Sequence, residues 1–238
     1  MNELFREKGL WAAAAVYFAA LVIGFPYDQI KIPLQAGDFL KLYQEALCTQ
    51  IVLFCIPIMS VLPVGAVFVR ESSSGFLKLY INRISRTEYI KRKTMQIYLG
   101  GILPVFFAGL FGALVCFLFL YPLELVGEIA ADVVWKAVLL LARVCLVGGI
   151  MAEVSGIFAA LFGNFYMAYG MPFVGYYLLV ILKERYLPEM YSMYPGEWIA
   201  FEKNWGADGG GLWWFLGTFS LAAGLLHGIV LYMRLKEI

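Results

Sequence analysis

The amino-acid sequence predicts an all-α integral membrane protein with six transmembrane helices. Three observations carry that expectation. Of 238 residues, 62% are hydrophobic and only 15% are charged, where a soluble domain has about half and about a quarter. Mean hydropathy is +0.79. The apolar residues gather in six runs divided by polar segments, at 9–25, 46–69, 97–121, 133–162, 165–182 and 212–233. A disordered chain is excluded by this composition, and an ordinary soluble globule is not expected.

Crossing about 30 Å of hydrocarbon takes about 20 apolar residues in a helix. Five of the runs approach or exceed that length. The first is shorter, and its flanking residues or a locally thinned bilayer complete the crossing. Within hydrocarbon the backbone must satisfy its own hydrogen bonds, so each run is read as a helix. The flank Gly24-Phe25-Pro26-Tyr27 lacks the small-x-small pattern of a signal-peptide cleavage site, so the first run is expected to stay as an anchor. The whole chain, 1–238, is expected to form a single transmembrane domain.

Basic residues set the orientation. With the N-terminus in the cytoplasm, the inner segments carry Arg6, Lys8, Arg70, Lys78, Arg83, Arg86, Lys91, Arg92, Lys93, Arg234 and Lys236. The outer segments carry Lys31, Lys41, Lys183, Arg185 and Lys203. Both termini are therefore expected inside. The formal net charge of +1 gives no footprint for nucleic acid. Cys48, Cys55, Cys116 and Cys145 form no CxxC pair, and His227 is the one histidine, so no metal site is expected. Cys48 and Cys116 both fall toward the outer ends of their predicted helices, which permits a disulfide without favouring one.

Three connections stand out. Segment 26–45 is a short polar outer loop. Segment 183–211 is the longest outer loop, and its aromatic residues, Tyr186, Tyr191, Tyr194, Trp198, Phe201 and Trp205 among them, predict short helices resting at the outer interface. Segment 70–93 is the sizeable inner loop. There Ser72, Ser73 and Ser74 offer capping oxygens for a short helix beginning near Gly75. Phe76, Leu77, Tyr80 and Ile84 share one apolar stripe, with Lys78 and Arg83 off it. Ser85 and Glu88 then form an S-x-x-E capping box that opens a helix leading into the third span. On the residues alone two readings stay open. The amphipathic helix lies on anionic lipid of the inner leaflet, or it docks on a cytoplasmic partner.

The same loop resembles the coupling region of the type-2 permease superfamily of ABC transporters, which have six spans, both termini inside and a short amphipathic coupling helix between spans two and three. Glu71, Gly75-Phe76, Leu77, Leu79, Ile84-Ser85-Arg86 and Lys91 to Lys93 carry the likeness. Arg83 stands where that family often has proline. The resemblance implies a permease subunit of an ATP-driven exporter in a cell membrane, such as the bacterial plasma membrane. It implies that Glu71, Gly75, Phe76, Leu77, Tyr80, Arg83, Ile84 and Arg86 couple to a separate ABC ATPase subunit. It also implies pairing with a second permease chain, identical or related, within membrane lipid. This chain would bind no cofactor, with ATP and Mg held by the partner, and no G-x-x-x-x-G-K-[ST] phosphate loop occurs in it. Few polar residues fall within the spans, which suits a hydrophobic or amphipathic cargo such as an antimicrobial peptide, another peptide, a lipid or a drug.

Polar residues inside the spans raise one rival. Glu153-Val154-Ser155-Gly156 lies on the fourth span and His227 on the sixth, an arrangement similar to rhomboid-like intramembrane serine proteases. The first glycine of G-x-S-G is Glu153 here, and no His-x-x-x-Asn on the second span completes an oxyanion site. A non-catalytic channel or scaffold is a third class, without a filter-like sequence to support it. Arg143, Glu153 and His227 are intramembrane polar groups that line a pathway or fix helix packing. Ten residues, about 15 Å of helix, separate Arg143 from Glu153, so the two are not expected to pair.

Overall fold

The computed structural model describes residues 7–75, 77, 83–206 and 210–237. Nine helices among them are labelled α1 (Lys8–Ile23), α2 (Asp38–Cys48), α3 (Gln50–Met59), α4 (Val67–Ser73), α5 (Arg86–Leu120), α6 (Ala131–Phe162), α7 (Phe165–Ile181), α8 (Pro195–Ala200) and α9 (Gly210–Lys236). No strand occurs among the described residues. A single parallel bridge pairs Leu34 with Glu124. Four helices are long and apolar enough to cross a membrane, or five when α2 and α3 count as one bent span. The chain is an all-helical multi-pass membrane protein. With 16 residues, α1 is about 24 Å long, short of the hydrocarbon thickness as its sequence suggested.

At the centre of the bundle is α6, which packs against α5, α7 and α9 and also against α2 and α8. Its contact with α5 is backbone on backbone. A Cβ at Gly101 would lie 2.6 Å from the Gly148 carbonyl oxygen, and one at Gly148 would lie 2.9 Å from that of Gly101. Small residues let helices approach this closely in lipid, where packing replaces the hydrophobic effect. At 35 residues, α5 spans about 52 Å, so its amphipathic first turns extend beyond the hydrocarbon.

The expected continuous second span, 46–69, is not continuous. Thr49 leaves helical geometry at ψ 148°, and α2 meets α3 at 60°. α3 then ends at Met59, and turns occupy 60–66 before α4 begins. The end of α3 has its causes in the sequence: Pro57 lacks the N–H that would bond the carbonyl four residues back, and Pro63 and Gly65 resist helix in the segment that follows. Side-chain hydroxyls add bonds to carbonyls at both breaks. The Thr49 hydroxyl donates to the Ala46 carbonyl at 2.8 Å, and that of Ser60 to Ile56 at 2.6 Å.

In segment 183–206, α8 is one of the expected short helices, and it is buried against α6, α2 and α7, with Trp198 and Ile199 almost inaccessible. Burial is tolerated because the polar atoms are satisfied close by. Trp198 Nε1 donates to the Ser192 carbonyl at 2.7 Å. The Glu197 carboxylate accepts from the Lys203 backbone N–H at 2.6 Å and from Trp205 Nε1 at 3.2 Å. Glu124 accepts from the backbone N–H groups of Gly37 at 3.0 Å and Phe39 at 2.8 Å, which caps the positive end of α2. The four cysteines are free thiols, Cys48 and Cys116 included.

Candidate functional site

Two polar centres lie toward the end of the bundle that holds the 70–93 loop. One is inside the helices and the other joins that loop to them.

The inner centre is Glu153 and His227. His227 Nδ1 and Glu153 Oε2 share a hydrogen bond of 2.5 Å, and both side chains are essentially without solvent exposure. The pair ties α6 to α9. Gly156, one turn along α6, makes room for the imidazole, since a Cβ there would sit 2.5 Å from His227 Cε1. Two atoms of the pair, Glu153 Oε1 and His227 Nε2, have no hydrogen-bond partner, and neither has the nearby buried Thr94 hydroxyl on α5. In low dielectric an unsatisfied polar atom is costly, so three in one neighbourhood mark a place where polar chemistry is unfinished.

Beside this pair a groove of about 1610 Å³ runs between α5 and α9. Glu153 reaches it from α6 behind, while Thr94, Leu99, Gly224 and Leu225 are among its walls. A 2.7 Å hydrogen bond from the Ser220 hydroxyl to that of Tyr98 crosses between the helices farther along.

Neither any family model nor any curated protein matches the chain. Function is therefore argued from these geometries alone and from the loop motif.

Ser155 and His227 do not engage each other. The Ser155 hydroxyl donates to the Ala168 carbonyl at 2.6 Å, joining α6 to α7, while His227 Nδ1 is taken by Glu153. As expected, Arg143 and Glu153 are not a pair. The Arg143 guanidinium, largely buried, lies 5.3 Å from the Phe201 ring centroid, a cation–π contact beneath the outer loop. Phe201 itself holds a left-handed conformation at φ 59°, directly after α8.

The second centre is Glu71 at the end of α4. Its Oε2 accepts from the Tyr89 hydroxyl at 2.7 Å and its Oε1 from Lys93 Nζ at 2.5 Å, both on α5. The Ser85 hydroxyl accepts from the Glu88 backbone N–H at 3.3 Å, forming the expected N-cap of α5. Glu88 does not return the bond of a full capping box, because its carboxylate pairs with Arg92 at 2.6 Å. Gly75 is exposed at φ 73°, a left-handed turn that favours glycine.

Leu77, on the apolar stripe with Phe76 and Tyr80, is buried with Phe68, Tyr89, Leu231 and Leu235, and Ile84 packs against the same cluster. These two apolar residues pack onto the bundle on either side of the segment that is not described. Arg83 and Arg86 are exposed. Phe76, Tyr80 and most of the expected coupling helix lie outside the described residues.

Sequence reasoning singled out Glu153 and His227 separately but not as partners. A signal was present. Each lies nine residues from the end of its helix at Phe162 or Lys236, about 13 Å, and so at matching depth.

Proposed function

We propose that this chain is the permease half of an ATP-driven exporter. In this reading six spans place both termini in the cytoplasm of a bacterial cell, and the 70–93 loop receives a separate ABC ATPase. Two permease chains pair in the membrane, and the cargo is hydrophobic or amphipathic.

The observation that carries the reading is the attachment of the inner loop. Glu71 fastens the end of α4 to Tyr89 and Lys93, and Leu77 seats the loop among residues of α4, α5, α6 and α9. A push on such a loop moves the helices rather than flexing the loop alone. ATP-driven transport requires that mechanical property, in which a partner's two states bias two arrangements of the spans. Lipid-surface binding does not require it.

The test is co-expression with a candidate ABC ATPase from the same cell and purification through a tag on the permease. Phe76→Asp is expected to abolish ATPase recovery while the permease still elutes as a folded species. Unchanged recovery would favour the lipid-surface reading of the loop. Rhomboid-like proteolysis and a passive channel remain the alternative classes, and the hydrogen bond from Ser155 to Ala168 favours neither.

A further inference from the structure

The groove between α5 and α9 combines three features that no interhelical packing role requires. Its rim along α9 is apolar, with Leu221, Leu225 and Ile229 all exposed. Deep behind it sit the buried Glu153 Oε1 and Thr94 Oγ1, both without partners, on residues that line the same groove. And Glu153 cannot turn away to find another donor, because its second oxygen is held by His227 at 2.5 Å. A long apolar wall ending at a fixed, unsatisfied acceptor is the complement of an amphiphile whose head carries an N–H donor.

We propose that this groove binds an amphipathic organic cation bearing a primary ammonium group. Its N–H donates to Glu153 Oε1, and its hydrocarbon body lies along Leu99, Leu221, Leu225 and Ile229. Of the donors able to satisfy a buried carboxyl oxygen, a charged one forms the stronger bond, and the low-dielectric surroundings enlarge the difference. A second N–H of the same head reaches the Thr94 hydroxyl. The basic residues at the mouth do not bar a cation. Arg92 is paired with Glu88 and Lys93 with Glu71, which leaves Lys91 at the rim. Access is sideways from the bilayer, where such amphiphiles concentrate.

The inference deepens the transport reading by naming a class of cargo, and it rests on that reading only for the word cargo. Binding is measured on the full chain with no ATPase present. A failure here leaves the coupling test untouched, and a failure of coupling leaves this site standing.

The probe is tritiated dodecylammonium, titrated against the full chain in phosphatidylcholine nanodiscs, with empty nanodiscs subtracted. Saturable binding at one site per chain is expected. Glu153→Gln should weaken it at least about tenfold, the loss that follows from removing one charge-assisted hydrogen bond. Thr94→Val keeps the shape, removes a hydroxyl that bonds nothing in the protein, and should weaken binding several-fold in a chain that folds normally. Dodecanol should not displace the probe. Absence of saturable binding would overturn the proposal. So would equal affinity in both variants, or displacement by dodecanol as effective as by unlabelled dodecylammonium, since either result would mean that only the apolar body is recognised.

Discussion

Gly156→Ala should destabilise this protein through a single collision. The new methyl carbon would lie 2.5 Å from His227 Cε1 and 2.7 Å from Nε2, both inside the separation that carbon atoms tolerate. The imidazole has no free direction of retreat, since it is fully buried and its Nδ1 is held by Glu153. Overpacking of this kind costs about 1–3 kcal/mol. For a chain of this length each kcal/mol is worth about 2–4 °C in Tm, so the clash should lower Tm by about 2–12 °C. Replacing a helical glycine by alanine also gains up to about 1 kcal/mol of helix propensity. Gly175→Ala, where a Cβ meets nothing within 4 Å, isolates that gain. Thermal unfolding of the purified chain in detergent, followed by tryptophan fluorescence, gives the difference between the two variants. The clash should vanish in the Gly156→Ala, His227→Ala double variant, which should be no less stable than His227→Ala alone, a coupling of about 1–3 kcal/mol. If Gly156→Ala and Gly175→Ala unfold at the same temperature, or if the losses simply add, the pinned imidazole is not the cause and the pairing of α6 with α9 through Glu153 and His227 is wrong.

Three further outcomes are expected. Glu124→Ala removes the acceptor for the Gly37 and Phe39 N–H groups at the start of α2 and should cost about 1 kcal/mol, read as a drop of about 2–4 °C in the same unfolding assay. Ser155→Ala loses the bond to the Ala168 carbonyl at about 0.6–2 kcal/mol and should retain most export of cargo from cells carrying the partner ATPase; loss of nearly all activity, with folding intact, would bring back the serine-hydrolase reading. In a chain with its native cysteines replaced, an impermeant maleimide added to intact cells should label a cysteine at Glu128 and miss one at Ser73, and the reverse pattern would invert the topology.

The long spans were legible because their signal is simple. Long, predominantly apolar runs at 133–162 and 212–233 became α6 and α9 with ends shifted by a few residues. The second span was misread for the opposite reason. Hydropathy is blind to Pro57, Pro63 and Gly65, all apolar in composition yet hostile to a continuous helix, and the backbone broke around them. The short helix α8 was expected, but aromatic content does not tell whether Trp198 and Glu197 find the local hydrogen bonds that let it be buried against the bundle. The role of Glu71 as a clasp was foreshadowed at the head of the loop, although its partners, Tyr89 and Lys93, lie 18 and 22 residues on. Leu77 shows the limit of a periodic stripe. The pattern of Phe76, Leu77, Tyr80 and Ile84 identifies an apolar stripe, and only the fold reveals that two of its members, Leu77 and Ile84, pack against the bundle.

The central claim is that the inner loop transmits the work of a partner ATPase to the spans through Glu71. The most direct measurement places the permease and its co-expressed ATPase in proteoliposomes and follows ATP-dependent movement of a fluorescent amphiphile, with ATP hydrolysis recorded in the same sample. Glu71→Ala should leave the ATPase bound and hydrolysing ATP, while transport per ATP falls by at least about tenfold, because the loop is no longer clasped to Tyr89 and Lys93. Transport per ATP equal to that of the unaltered chain would contradict the account.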